Sequence, residues 1–552
     1  MDALLPRSLT SDLISYIGNK RRILPYLADV LAPLVEASEK TTFLDPFCGS
    51  GVVSRLARHL GCTVAANDWE PYAHAVTVPY LENRPADLPG LFAPFGGVSA
   101  VYDRLNACRE PSTRYISLHY APEDTERPRL GAERLFYTTE NARIIDAVRD
   151  EIDRLAPNGR DVECGRVRRI LLSSLLQQAS VHANTSGVFK AYHRGFGGLG
   201  RDALGRIMRP IRLDPPMIPD GPVGGASCVD AGEFVSSRPA DVCYLDPPYA
   251  SHQYGSNYFM LNTILRWDRP PVDERRDERG MLLSKAGIRP DWTDTRSPFC
   301  SRRGAPRAIR DLLDKIDARF IVVSYSTDGI VALEELAEML AERGALDVRS
   351  IDYTTYRGGK QSMTRSRSNG EFVFVADTSR RADSRGTSVL PVAVAASIAR
   401  SRRRAIEDKR FNPERMAESF DCRPGYVVLS DGWFAETTDR YEIAIPDPPG
   451  DLAPGDLDRV ELLLARAACR DHMEELEIVL SLAWSQADSR RYLRRAVSCL
   501  RQFAHRKYRE QFNEALTLVR RAMVARPRVY GSISKAVAEL EERARMRRAR
   551  DR

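Results

Sequence analysis

The segment Thr42 to Asp68 constrains the chain most. It reads TFLD, PFCGSG, VVSRLARHLG and CTVAAND: an apolar run, a glycine turn, a helical stretch and a second apolar run. That order predicts a βαβ unit, and a βαβ unit needs a parallel sheet with helices on its faces. ADVCYLD at 240–246 supplies a further strand, ended by a Pro-Pro pair that cannot continue a central strand. ARFIVVSYS at 318–326 predicts another, followed by an amphipathic helix in GIVALEELAEMLAERG. ALDVRSIDYTTYR and GEFVFVAD then suit an antiparallel pair closing the sheet edge. The expectation is a mixed, mostly parallel α/β sheet.

Between the first βαβ unit and the strand at 240–246 lie some 150 residues dominated by helical patterns, among them LFYTTENARIIDAVRDEIDRL and RVRRILLSSLLQQASVHA. So long an insertion predicts a helical lobe of its own. After Ser379 the texture changes to a loop-like stretch, a hairpin candidate in PGYVVLSDGWFAETTDRYEIAIP, and several helices. The expected organisation is therefore 1–82 and 225–379 as two parts of one core, 83–224 as an insert, and 380–552 as a basic, mainly helical extension.

With 552 residues, 43% hydrophobic and 28% charged, the chain has an ordinary globular composition, and its length fits roughly three units. Disordered and collagen-like classes are excluded. The longest apolar run, Leu390 to Ala399, is short of the roughly 18 residues that cross a bilayer. The N-terminus lacks the pattern of a secretory signal, so no membrane association and a cytoplasmic location are expected. Ten scattered cysteines form no CxxC pair, which favours reduced thiols, and the eight histidines offer no HExxH, so no metal is expected. The net charge of +7 divides unevenly: about −1 before Ser379 and about +8 after it. Runs such as Arg402-Arg403-Arg404 suit phosphate, although arginine-rich helices are also common as solvated faces.

Two constellations carry chemistry. In Asp45-Pro46-Phe47-Cys48-Gly49-Ser50-Gly51, glycines directly after a strand let backbone approach a ligand closely. Neither GxGxxG spacing nor a terminal P-loop lysine is present, and a carboxylate-led loop suits a cationic, amino-acid-bearing ligand. Asp68, after the next strand, is placed to accept from ribose hydroxyls; the alternative is a cap for the following helix. In Asp246-Pro247-Pro248-Tyr249, a carboxylate, rigid carbonyls and an aromatic face make a receptor for a planar base with an exocyclic amine.

The order SYIGNK, FLDPFCGSG, AAND, helical insert, YLDPPY and VVSYSTDG resembles that of DNA adenine methyltransferases of the DPPY type, in the arrangement where the cofactor loop precedes the catalytic loop. The resemblance spans roughly Leu13 to Asp377, with echoes in RLFYTTENARIIDAVRDEI, HANTSGVFKAYHRG and SHQYGSNYFMLNTI. It implies an α/β class I methyltransferase fold (Rossmann-like) with a helical target-recognition insert, S-adenosyl-L-methionine as methyl donor and double-stranded DNA as partner. A cognate restriction or phage-defence protein is a further candidate partner. Tyr16 and Lys20 fall on the family's N-terminal cofactor contacts, with Tyr16 standing where some relatives carry tryptophan. Asp45, Phe47, Gly49 and Gly51 fall on the glycine loop, Asp68 on the ribose acid, and Asp230 on an acidic residue near the cofactor's adenine.

The implied reaction moves a methyl group to N6 of an adenine flipped out of the duplex, at a cost of roughly a few kcal/mol. Asp246 and the Pro247 carbonyl accept from the amine and stabilise its developing positive charge, while Tyr249 stacks on the ring. Target reading is assigned to the insert and nearby loops. For Asn184, Lys190, Tyr192, His193 and Arg194, a DNA-facing and a packing role stand side by side. So do base-pocket and core roles for Tyr254 and Tyr258; Ser324 and Tyr325 receive no chemical role. Three alternatives remain: methylation of cytosine N4, against which Asp rather than Ser at position 246 argues; RNA methylation; and a non-catalytic nucleic-acid-binding component.

Overall fold

The computed structural model describes residues 5–35, 41–198, 203–326, 329–354, 368–380, 409–430, 433–445, 462–485, 489–504 and 509–549. They fall into two units, one drawn from Met1–Ile351 with Gly370–Ala395 and the other from Asp352–Asn369 with Ala396–Arg552. The Leu390–Ala399 run and the Arg402–Arg404 run lie outside the described residues.

The first unit is built on a seven-stranded sheet: β1 (Thr42–Asp45), β2 (Thr63–Asn67), β3 (Gly225–Ser227), β4 (Ala240–Leu245), β5 (Ala318–Ser326), β6 (Ala345–Thr354) and β7 (Ser368–Asp377), in the order β3-β2-β1-β4-β5-β7-β6. The pairs β2–β3, β1–β2, β1–β4 and β4–β5 are parallel, and β7 runs antiparallel to β5. This is a Rossmann-like, mostly parallel sheet, as the βαβ reading required. β3 is the strand that sequence reasoning missed, because three residues of Gly, Ala and Ser carry almost no strand propensity. Helix Leu333–Ala341 occupies the middle of the predicted amphipathic stretch.

Local chemistry sets where the chain turns. Gly51 precedes helix Val52–His59 at φ +76°, and a Cβ there would lie 2.7 Å from Thr77 Oγ1. Glycine is therefore required both for backbone conformation and for space. Leu44 pairs with Cys243, so the chain leaves β1 and β4 side by side at one end of the sheet. The two prolines after Asp246 have no N–H to donate to a ladder, which ends the pairing there.

The insert is helical. Its long members Thr139–Leu155 and Val162–His182 begin at Thr138 and Asp161, whose side chains accept from Asn141 N and Cys164 N. Ile145, Val148, Leu171, Leu175, Tyr72, Tyr258 and Phe259 belong to one buried cluster, so these helices share a core with the segment after β4. The buried Asn184 donates to the Leu135 and His193 carbonyls and accepts from Gly197 N. Tyr192 donates to the Glu133 carbonyl and packs edge-on against Phe136. Both side chains organise their loop from within, while Lys190 and Arg194 are exposed.

The second unit has a three-stranded antiparallel sheet, β8 (Asp421–Arg423), β9 (Tyr426–Ser430) and β10 (Trp433–Glu436), which includes the anticipated hairpin. Helices His472–Ser485, Ser489–Phe503, Arg509–Ala525 and Ser534–Ala549 bury Leu476, Val479, Leu500, Phe512, Val519 and Leu540 together. Arg490, Arg494 and Arg501 are exposed on the second of these helices. No helix among the described residues is long and apolar enough to cross a membrane.

Candidate active site

A cleft of about 900 Å³, counted to its open mouth, lies where β1, β2 and β4 end. Its lining brings together Tyr16, Lys20, Asp45, Phe47, Gly49, Asp68, Asp230, Asp246, Pro247, Pro248 and Tyr249, all singled out from the sequence. Gly51 stands just behind the wall, where it starts the helix.

The N-terminal segment is fastened over the cleft by distant partners. Ser15 N donates to Ser180 Oγ (3.0 Å) and Ile17 N to the Tyr258 hydroxyl (2.7 Å). Tyr16 is stacked on Tyr258 with centroids 5.2 Å apart, and its ring fills the space a Cβ on Gly49 would need, 2.7 Å away. Gly49, at φ +50°, is thus held open for the ring. Tyr258 is fully buried and structural, whereas Tyr254 lines the cleft.

Of the five acids that line this space, Asp45, Asp68 and Asp246 stand at the ends of β1, β2 and β4. Asp45 is 1% exposed; Ser54 Oγ donates to its Oδ2 at 2.5 Å, while its Oδ1 has no hydrogen-bond partner. Burial, only partly countered by Ser54, raises its pKa to about 7. Asp68 accepts from Gly49 N and Glu70 N, both at 2.9 Å, so it ties the glycine loop to the turn after β2. Burial nevertheless lifts it to about 7. Asp246 pairs through Oδ1 with Lys20 Nζ at 2.9 Å. Burial raises it to about 6, with Lys20 pulling down and Glu371 pushing up. Buried carboxylates with fewer donors than lone pairs favour a ligand that brings donors or positive charge.

Lys20 lies between two acids, since Glu371 Oε1 on β7 is 2.5 Å from its Nζ. Burial opposes its charge, but Asp246 and Glu371 outweigh burial and hold its pKa well above the ordinary value. The ammonium also sits 5.4 Å from the centroid of the Tyr249 ring. Asp230 does double service at the rim: it lines the cleft and caps helix Ala231–Ser236 by accepting from Gly232 N and Glu233 N.

Several wall residues carried no motif. Thr295, Ser297 and Phe299 come from the segment after the Asp246–Tyr249 loop, and Phe299 meets Phe47 edge-on at 5.1 Å. Glu70 fastens that segment by accepting from Thr295 Oγ1 (2.6 Å) and Asn262 Nδ2 (2.9 Å). Ser324, given no role from sequence, donates to Glu371 Oε1 at 2.6 Å.

A mostly parallel sheet with an acid-lined cleft at its strand ends, one loop led by Asp-Pro-Phe and the next by Asp-Pro-Pro-Tyr, has the architecture of the class I methyltransferases. Residues 16–276 match the model for the D12 class N6 adenine-specific DNA methyltransferases. The type II methyltransferase M.NlaIII of Neisseria lactamica is 27% identical over 364 residues, covering 66% of this chain and 98% of its own length. M.CviAII of Paramecium bursaria Chlorella virus 1, also a type II methyltransferase, is 26% identical, covering 61% of this chain and 90% of its own. The modification methylase StsI of Streptococcus sanguinis is 26% identical over 62% of this chain, which spans about half of StsI (48%). The matched residues 16–276 carry β1 to β4 and the loops that begin at Asp45 and Asp246, so the chain is similar to the N6 adenine-specific DNA methyltransferases and is an enzyme that methylates adenine in DNA.

Proposed function

We propose that the cleft binds S-adenosyl-L-methionine and an adenine flipped out of duplex DNA, and that methylation is site-specific and serves as the modification half of a restriction or defence system. The observation that carries this reading is the convergence of Asp45, Asp68 and Asp246 on one cleft, with Asp45 Oδ1 buried and unmatched. A ligand bearing an ammonium, two ribose hydroxyls and a sulfonium brings the donors and positive charge that these acids lack. Asp45 and the glycine loop would hold the amino-acid part, and Asp68 the ribose. Phe47, Asp230 and Phe299 would form the wall for the adenine of the donor.

When bound, S-adenosyl-L-methionine supplies a methyl group on positively charged sulfur. The protein's own work is on the target amine, whose lone pair is delocalised into the purine ring. Lys20 occupies Asp246 Oδ1, which leaves Oδ2 and the Pro247 carbonyl to accept the two amino hydrogens. That arrangement favours a more tetrahedral nitrogen and stabilises positive charge as it develops there. Tyr249 offers its face to the flipped base. Asp246 must be ionised to act, so the rate should fall as pH drops below about 6.

In this reading 83–224 reads the target, and 380–552 is an accessory region whose exposed Arg490, Arg494 and Arg501 contact DNA phosphates. A cognate endonuclease is the expected partner, and the cytoplasm the place of action. The names of the relatives, type II methyltransferases and a modification methylase, support the restriction context. Long-read methylation mapping in cells expressing the full chain, beside Asp246→Ala, tests the whole reading. One modified adenine in a fixed sequence, absent in the variant, is expected; unmodified genomes in both strains would sink it.

A further inference from the structure

Glu371 is a buried acid that no motif accounts for. It lies on β7 opposite Ser326 of β5, and its residue exposure is 1%. Its Oε1 accepts from Lys20 Nζ at 2.5 Å and from Ser324 Oγ at 2.6 Å. The same ammonium reaches Asp246 Oδ1 at 2.9 Å. Serine, glutamate, lysine and aspartate therefore form a continuous chain from the sheet floor to the catalytic loop.

A charged group withdrawn from water needs partners on every side, and a buried ion pair with one member removed is strongly destabilised. Asp246 alone does not surround the ammonium of Lys20. Glu371 holds it from the opposite side, and Ser324 fixes Glu371 in turn. Lysine carries a flexible four-carbon stem with three rotatable donors, so a second anchor decides where its charge rests. From this geometry we infer that Glu371 is a positioning residue: it clamps Lys20 against Asp246 Oδ1 and thereby aims Asp246 Oδ2 at the target amine. The inference rests on the reading of Asp246 as the amine acceptor.

The arrangement has an electrostatic signature. The groups facing Asp246 are Lys20 from the N-terminal segment, Glu371 from β7, Asp45 from β1, Tyr244 on its own strand and Tyr254 from the helix that follows, while Tyr249 faces Lys20. Of these, Glu371 is the nearby negative charge that pushes Asp246 toward its protonated form, after burial. Glu371→Gln keeps an acceptor for Lys20 but deletes that charge, so the acid limb of the rate profile should move to lower pH. With the clamp weakened, the plateau rate should fall.

The test uses the full chain, tritiated S-adenosyl-L-methionine and genomic DNA from a methylation-deficient host. Glu371→Gln should lower kcat about 10–100-fold while the dissociation constant for the donor stays within about threefold, because misplacing an acceptor harms the reaction more than ground-state binding. Glu371→Asp retains the charge, so it should keep the wild-type acid limb and an intermediate rate. A second readout needs no turnover: labelling of Lys20 by an acetylating reagent, followed by mass spectrometry across pH. Loss of the clamp should expose Lys20 to labelling at lower pH in Glu371→Gln than in wild type. An unchanged kcat, acid limb and labelling profile would overturn the inference. A lowered melting temperature with limb and labelling unmoved would also overturn it, as the mark of a purely structural acid. If Glu371→Gln does not fold, Glu371→Asp decides by labelling, where a wild-type profile together with a wild-type rate counts against the clamp. If the wild-type chain transfers no methyl, the proposed function fails, and Lys20 labelling still decides whether Glu371 holds the lysine.

Discussion

Asp45 in the cleft and Glu475 among the C-terminal helices are both withdrawn from water, yet their carboxyls shift in opposite directions. Asp45 is raised to about 7, mainly by burial, with Ser54 as its side-chain donor. Glu475, 0% exposed, also suffers burial as its largest influence, but His472, Arg495 and Tyr441 overcome it and hold it near 2. Arg495 Nε lies 2.5 Å and the Tyr441 hydroxyl 2.7 Å from its Oε1. Burial alone therefore does not set the direction of the shift. The supply of donors separates the two acids, and a shortage leaves room for a ligand to bring them.

The largest effect that sharpens this contrast is expected at Glu475. Glu475→Ala strands Arg495 and should destabilise the C-terminal unit by about 3–5 kcal/mol in a urea titration, leaving donor binding intact. Its depressed pKa also sets a sign: the stabilisation is whole above the unfolded value near 4.5 and is lost as pH falls toward about 2. Acid unfolding in that window should be less steep in Glu475→Gln.

Next in size, Asp246→Ala should lower kcat about 10²–10³-fold with little change in donor affinity, measured by methyl incorporation under saturating donor. Asp45→Asn should weaken donor binding about 10–100-fold by calorimetry, the loss of one charge-assisted hydrogen bond. Because Asp45 and Asp68 hold protons up to about pH 7, wild-type affinity for the donor should decline as pH falls below that value. An affinity that is flat from pH 8 to 6 would break the comparison with Glu475. The smallest effect belongs to Gly49→Ala, where φ is +50° and the Tyr16 ring is in the way; about 1–2 kcal/mol of stability should disappear from a thermal melt.

The strands from β1 through β7 were legible wherever apolar, branched residues ran between turn signals, and β3 was not because Gly225, Ala226 and Ser227 give no such run. The cleft was legible where chemistry is concentrated within a few residues, as in the loops beginning at Asp45 and Asp246. Glu371 escaped because its meaning comes from Lys20, 351 positions away, and GEFVFVAD on its own reads as a strand with a polar start. Thr295 and Phe299 escaped for the same reason: a wall assembled by tertiary packing leaves no local pattern. Asp230 shows the converse, since the residue singled out for a ligand also performs the ordinary task of a helix cap.

Pairing between Leu44 and Cys243 has a consequence for how the protein is made. The two strands are neighbours, but β4 leaves the ribosome some 200 residues after β1, a delay of about 10–40 s at 5–20 residues per second. During that interval the side of β1 that β4 will cover has no neighbour. Slower translation therefore lengthens the time that β1 spends with an open edge, the feature of a nascent chain most prone to wrong pairing.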